Sequence, residues 1–324
     1  MKRIPFLPII LGLSVLAFLF LPLLGESLLP FGVWFGQASE SARFLFFNVR
    51  LPQALLAFSV GLGLSLAGHV FQTLFRNDLA DPYLLGIASS SAFGVVLAVK
   101  LSLVFSFLVF SSISLFAFSG GLGSVLFIML LQARSRRFSN YSVILTGVAL
   151  NLFFSALILG MYYFSDPGQI FNIQRWLMGS IDVIGFSEPL FMLTLSALVF
   201  IFLLLFRQDL NMLLLEDALA LARGVNTLKT KVILVILCSL LVAGSVSVAG
   251  PLAFIGLIVP HIAKLLMGKD HLKVLPVSAL LGGLFLMLCW TLSRIIMAPA
   301  VLPVGIVTAL TGVPFFIWLI SKKK

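Results

Sequence analysis

Apolar residues run along this chain in blocks of about twenty, the length a helix needs to cross a bilayer core, with short polar breaks between them. The blocks predict ten spanning helices, at about Ile4–Leu24, Leu51–Phe75, two within Leu84–Gln132 turning near Lys100–Ser102, then Ser142–Phe164 and Pro189–Phe206. The last four are about Thr230–Val248, a short Leu252–Met267 after the Ala249-Gly250-Pro251 turn, Val274–Met297 and Val304–Ile320. No small-residue cleavage site follows Met1-Lys2-Arg3, so the first block reads as a span with the N-terminus inside. The expected fold is all-α, a polytopic membrane protein with both termini cytoplasmic and one transmembrane domain over 1–324.

Composition narrows the class further. Of 324 residues, 61% are hydrophobic and 10% charged, against about 45–50% and about 25% in soluble domains. That excludes disorder, a collagen-like rod and a disulfide-rich secreted scaffold. Cys238 and Cys289 both lie in apolar blocks and read as small core residues.

The formal net charge of +10 suggests a nucleic-acid partner until the charges are placed on the span map. Sixteen basic and six acidic residues then fall on the inner face, and five of each on the outer face, among them Arg43, Arg50, Lys100, Arg175 and Arg294. The positive-inside rule accounts for the whole imbalance, and no nucleic acid is required.

The interior lacks the groups other mechanisms need. Ion-coupled carriers keep carboxylates or histidines at membrane depth, yet no Asp or Glu sits mid-span and His69 alone is a candidate there. His69 reads as a hydrogen-bonded packing residue, and His271 as part of a cytoplasmic turn. There is no HxxH or HExxH spacing, no nucleophile elbow and no phosphate-binding loop: Gly268-Lys269-Asp270 lacks the upstream glycine and the following Ser or Thr. The chain is therefore expected to be no enzyme, with no catalytic residue and no metal site; any ATP hydrolysis belongs to a partner subunit. Many glycines lie within spans, as in Gly61-Leu62-Gly63, and fit close helix packing.

The largest inner excursion, about 207–229, joins the sixth and seventh spans. Its stretch Leu213 to Arg223 is a good helix former and Gly224 can cap its C-terminus. Such a helix can lie on lipid or enter a partner's groove; Glu216 and Asp217 disfavour an anionic leaflet, so the partner reading is preferred.

Several strings carry a resemblance: RLPQALLAFSVGLGLSLAGHVFQTLFRNDLADPYLLG (Arg50–Gly86), ILTGVALN (Ile144–Asn151), WLMGS (Trp176–Ser180), VAGPLAFIGLIVPHI (Val248–Ile262) and LPVGIVTALTGVPFFIWL (Leu302–Leu319). In order and over nearly the whole chain, they resemble the FecCD family, permease subunits of ABC importers for ferric siderophores, haem and vitamin B12. The resemblance implies ten helices per subunit, a second and here identical permease, and two cytoplasmic ATP-binding subunits that carry ATP and Mg. It also implies an extracytoplasmic binding protein that delivers ligand, and a place in the inner membrane. It implies site residues too: Leu213, Glu216, Asp217, Ala220 and Gly224 in the loop that couples to the ATPase; Asn77, Leu79, Asn140 and Tyr141 at a cytoplasmic gate; and Arg50 and Arg294 for docking the binding protein. The two arginines are equally open to a role as lipid-phosphate anchors that snorkel to the interface. This sequence departs from the family pattern at Glu216, where a Gly is common, at Arg223, where a Leu is, and at Gln53, where a second arginine often follows Arg-Leu-Pro. A secondary transporter or channel not driven by ATP is the alternative function. The missing intramembrane carboxylates argue against it.

Overall fold

The computed structural model describes residues 6–103, 105–107, 110–135, 139–214, 221, 226–268 and 270–321. Apart from a two-residue antiparallel ladder pairing Ser106–Phe107 with Phe110–Ser111, its regular structure is helical. The N-terminal helix α1 (Phe6–Phe20) is followed by α2 (Glu40–Phe44), which runs through a π-helical turn (Leu45–Arg50) into α3 (Leu51–Leu74). Next come α4 (Ile87–Lys100), α5 (Ser112–Ser135), α6 (Asn140–Tyr163), α7 (Pro167–Leu177), α8 (Ser187–Leu205) and α9 (Arg207–Leu213). The chain closes with α10 (Thr227–Ala249), α11 (Ile255–Met267), α12 (His271–Ile295) and α13 (Val304–Ser321). Among the described residues, seven helical segments are long and apolar enough to cross a membrane, and α4, α11 and α13 are shorter apolar helices. Each of the ten apolar blocks thus holds one helix, and the chain is an all-α, multi-pass membrane protein.

Three helices fall outside the blocks: α9, within the inner excursion where the sequence predicts a helix further on, and two others. Residues 40–50 extend α3 on its outer side, and α7 crosses the polar segment after α6. Both carry charged or amide side chains (Glu40, Arg43 and Arg50; Gln169, Gln174 and Arg175), which lower local hydropathy below that of a span.

Small residues put α3 at the centre. In the most apolar window of its segment 89% of residues are buried, against 17% for α6. In lipid, helices associate by close packing and a few polar contacts, not by hydrophobic exclusion, and α3 supplies both. A Cβ on Gly61 would overlap the carbonyl of Gly282, and one on Gly282 the carbonyl of Gly61, so α3 and α12 touch backbone to backbone. Further along, Ser65 Oγ donates to the Ser278 carbonyl at 2.8 Å, with the two hydroxyls 2.7 Å apart. Beyond that, His69 Nε2 and His271 Nδ1 share a hydrogen bond of 2.7 Å. Positions 61, 65 and 69 repeat every four residues and form one stripe on α3.

Candidate functional site

At the inner end, α9 is the last described helix before the coupling loop. Its Leu210 and Leu213 are buried, which seats it against α3 and α12. Two polar contacts fix it there. Arg76, just past α3 and in the left-handed region at φ 49°, donates from Nε to the Leu213 carbonyl at 3.2 Å. The backbone N–H of His271 donates to Asn211 Oδ1 at 3.3 Å. Of the coupling residues expected from the sequence, Leu213 is therefore at a clamped joint. Glu216, Asp217, Ala220 and Gly224 lie outside the described residues.

The four residues expected at a gate lie at the same end, without forming one contact. Asn140 opens α6 and donates from Nδ2 to the Leu74 carbonyl at 2.9 Å, tying α6 to the end of α3. Asn77 folds its turn by accepting from the Leu79 N–H at 2.9 Å. Leu79 and Tyr141 are 50% and 76% exposed. Leu79 also lines a narrow crevice with Phe315 and Phe316 of α13. Beside it, Lys264 Nζ bridges Gln72 Oε1 at 2.8 Å and Asp78 at 3.0 Å. The following turn is capped by Asp81, which accepts from the Tyr83 N–H at 2.7 Å; burial pushes its carboxyl up to about 6 against that hydrogen bond. Tyr83 donates from its hydroxyl to the Leu252 carbonyl at 3.1 Å and accepts from the Leu252 N–H at 2.9 Å; burial raises its pKa. It borders an apolar hollow of about 470 Å³ between Met178, Pro251, Gly305 and Leu310.

At the outer end the structure speaks against the alternative of the arginines as snorkelling lipid anchors. Arg50 is only 2% exposed and Arg294 6%. Arg50 folds the segment after α1 over itself, donating to the Leu23 carbonyl at 3.1 Å, the Ser27 carbonyl at 2.7 Å and Ser27 Oγ at 3.0 Å. Arg294 lies 4.6 Å over the Trp290 ring and so close to Gly25 that any side chain there would displace it. Neither snorkels to lipid phosphate. Both line a cavity of about 350 Å³, with Glu26, Gln53, Arg175 and Asp182 on its wall. Arg50 Nε and Arg294 Nη1 are buried without a hydrogen-bond partner.

A correction concerns the histidines. His69 is not alone and His271 is not in a turn: His271 is the first residue of α12, and the pair is buried. Sequence reasoning missed this, although the spacing of Gly61, Ser65 and His69 marked the stripe on which His69 lies. Among the described residues no group of three or more His, Cys, Asp or Glu side chains converges to hold a metal. The cysteines are free and buried.

A bundle of apolar helices, with a clamped joint at one face and an arginine-lined cavity at the other, fits the membrane-spanning subunit of a transporter. The sequence profile of the FecCD transport family matches residues 11–322, and the chain belongs to that family. It is 37% identical over 287 residues to a probable iron chelatin transport system permease of Helicobacter pylori, covering 88% of this chain and 85% of that one. It is 36% identical over 294 residues to the hemin transport system permease HmuU of Yersinia pestis, covering 90% and 87%. It is 35% identical over 298 residues to the vitamin B12 import permease BtuC of Salmonella paratyphi A, covering 92% and 89%. A solved metal-chelate type ABC transporter in an inward-facing conformation superposes with a TM-score of 0.88 at 32% identity, covering 98% and 99% of the two chains. The chain is thus the permease subunit of an ABC importer, not an enzyme, and its family implies ATPase, binding-protein and second-permease partners.

Proposed function

We propose that two copies of this chain enclose a pathway for a bulky metal chelate of the siderophore, haem or cobalamin class. Two ATPase subunits that hold ATP and Mg dock on the inner face, and a binding protein docks on the outer face. The observation that carries the ligand class is that relatives matching almost the full chain handle iron chelate, hemin and vitamin B12. On this reading there are ten spans, with both termini inside. Segment 213–224 enters a cleft of the ATPase, where an apolar helix face held in register transmits force. Asn77, Leu79, Asn140 and Tyr141 form the inner gate, where their uncharged side chains let a large ligand leave while Asp78 is neutralised by Lys264. The outer cavity, lined by Arg50, Arg175 and Arg294, receives a carboxylate of the binding protein, since charged hydrogen bonds to carboxylate suit Arg.

The test is uptake into proteoliposomes holding this permease and its ATPase, with the binding protein and a candidate chelate outside. ATP-dependent accumulation is expected. Ala220→Arg is expected to leave insertion and ATPase activity in place while abolishing uptake. Undiminished uptake in that variant would remove the docking assignment of the loop.

A further inference from the structure

We propose that α3 and α12 form one rigid strut that links docking at the outer cavity to the inner coupling segment, with His69 and His271 as positioning residues at its inner end. This rests on the assembly described under Proposed function.

The strut is locked at three points in one line: Gly61 on Gly282, Ser65 on Ser278 and His69 on His271. The first is backbone against backbone and leaves no slack. The other two are polar contacts between buried side chains, and both histidine bonding partners lie on facing helices. A slide of one residue, about 1.5 Å along the axis, would stretch and misalign both hydrogen bonds and drive the side chain next to one glycine into the backbone facing it. The helices therefore move together. Apolar side chains would pack the same space while tolerating several registers; a buried polar pair selects one.

Each end of the strut meets a working surface. At the outer end, Arg50 leads directly into α3 and Arg294 lies in the last turn of α12, and both line the same cavity. At the inner end, Arg76 of the α3 terminus holds the Leu213 carbonyl, and the His271 N–H of the α12 start holds Asn211. Helix α9 is thus gripped by both members of the strut. Arg50 to Arg76 spans about 39 Å at about 1.5 Å per residue, more than the ~30 Å hydrocarbon core. A tilt imposed at one end reaches the other as a rigid-body displacement, one of the ways two distant sites share one equilibrium. His69 serves by fixing the register in which His271 presents its backbone N–H to Asn211.

Coupling between two binding sites is reciprocal, and commonly amounts to about 5–150-fold in affinity. Nucleotide on the ATPase must then change the affinity of the permease for the binding protein. The experiment measures the Kd of ligand-free binding protein for the complete transporter in lipid nanodiscs, with and without a non-hydrolysable ATP analogue and Mg. In the wild type the two Kd values are expected to differ by a factor in that range. In His69→Leu, and independently in Ser65→Ala combined with Ser278→Ala, the ratio is expected to fall at least threefold toward one while docking without nucleotide and basal ATPase activity persist. His69→Gln, which places an amide near the lost Nε2, is expected to restore it. A merely structural role would shift stability and leave the ratio intact. A full ratio in both variants, or wild-type docking that ignores nucleotide, overturns the strut alone. A wild-type transporter that does not dock the binding protein overturns the assembly reading, and the strut with it.

Discussion

Replacing Gly61 by alanine tests the centre of the fold directly. The added methyl would overlap the Gly282 carbonyl and press on Leu286 Cβ at 2.9 Å. Backbone cannot turn aside as a side-chain tip can, so α3 and α12 must separate by roughly 1 Å, and inserting a methyl into a packed core costs about 1–3 kcal/mol. Separation also stretches the 2.7 Å Ser65–Ser278 and His69–His271 contacts, each worth about 0.5–1.5 kcal/mol. Against this, alanine gains about 1 kcal/mol over glycine inside a helix. The net loss is about 1–5 kcal/mol. At about 2 °C per kcal/mol for a long chain, the unfolding midpoint in detergent falls by about 2–10 °C. Gly12→Ala is the control, because nothing lies within 4 Å of a Cβ there; only the helix gain remains, and the midpoint holds or rises. Equal midpoints for the two variants would show that α3 and α12 are not in backbone contact and refute the packing argument.

Arg50→Leu removes three hydrogen bonds from the segment that follows α1; with charged hydrogen bonds worth about 1.5–3 kcal/mol, amide exchange around Leu24 and Leu29 accelerates roughly 30-fold or more, and Arg50→Lys fails to restore it because one ammonium cannot span both carbonyls. The Asp81 carboxyl is raised from 3.8 to about 6 by burial, so the folded state binds its proton more tightly than the unfolded chain. Stability therefore falls as pH rises from about 4 to about 6 and levels off above; Asp81→Asn flattens that slope in a pH series of unfolding midpoints, and an unchanged slope would place the titration elsewhere. Cysteines introduced as Leu79→Cys or Tyr141→Cys crosslink between the two permeases in a nucleotide-dependent way if they gate the exit, and crosslinking indifferent to nucleotide counts against the gate.

Much of the scaffold was legible in the sequence because membrane solvent imposes a coarse rule: each apolar block of span length contains a helix, and Lys and Arg sort by face. Helix α7 and the extension of α3 over residues 40–50 were hidden for the converse reason, since polar side chains mask an outer-face helix from any hydropathy rule. Arg50 and Arg294 were read as surface charges because a snorkelling arginine and a buried one look alike until the loop bearing Leu23, Gly25 and Ser27 folds across them. The histidine pair was illegible on other grounds. His69 and His271 lie 202 positions apart, and nothing local to either reports the other. The region of the proposed inner gate was half legible: Asn77 and Leu79 fall in the polar break between two apolar blocks, while the bond from Asn140 to the Leu74 carbonyl depends on how α6 meets α3.

The pairing of α3 with α12 also sets a timetable for synthesis. Ser65 and His69 enter the membrane early, yet their partners are encoded 213 and 202 residues later. At a ribosomal rate of about 5–20 residues per second, α3 waits roughly 10–40 s for α12. Through that interval its polar stripe faces hydrocarbon, the insertion machinery or temporary neighbours, since α8, whose Ser196 donates to the Ser59 carbonyl, packs on the Gly63 side of α3. A nascent chain cut short before His271 keeps that stripe uncovered for good, and so displays to membrane quality control the mark of an unfinished permease.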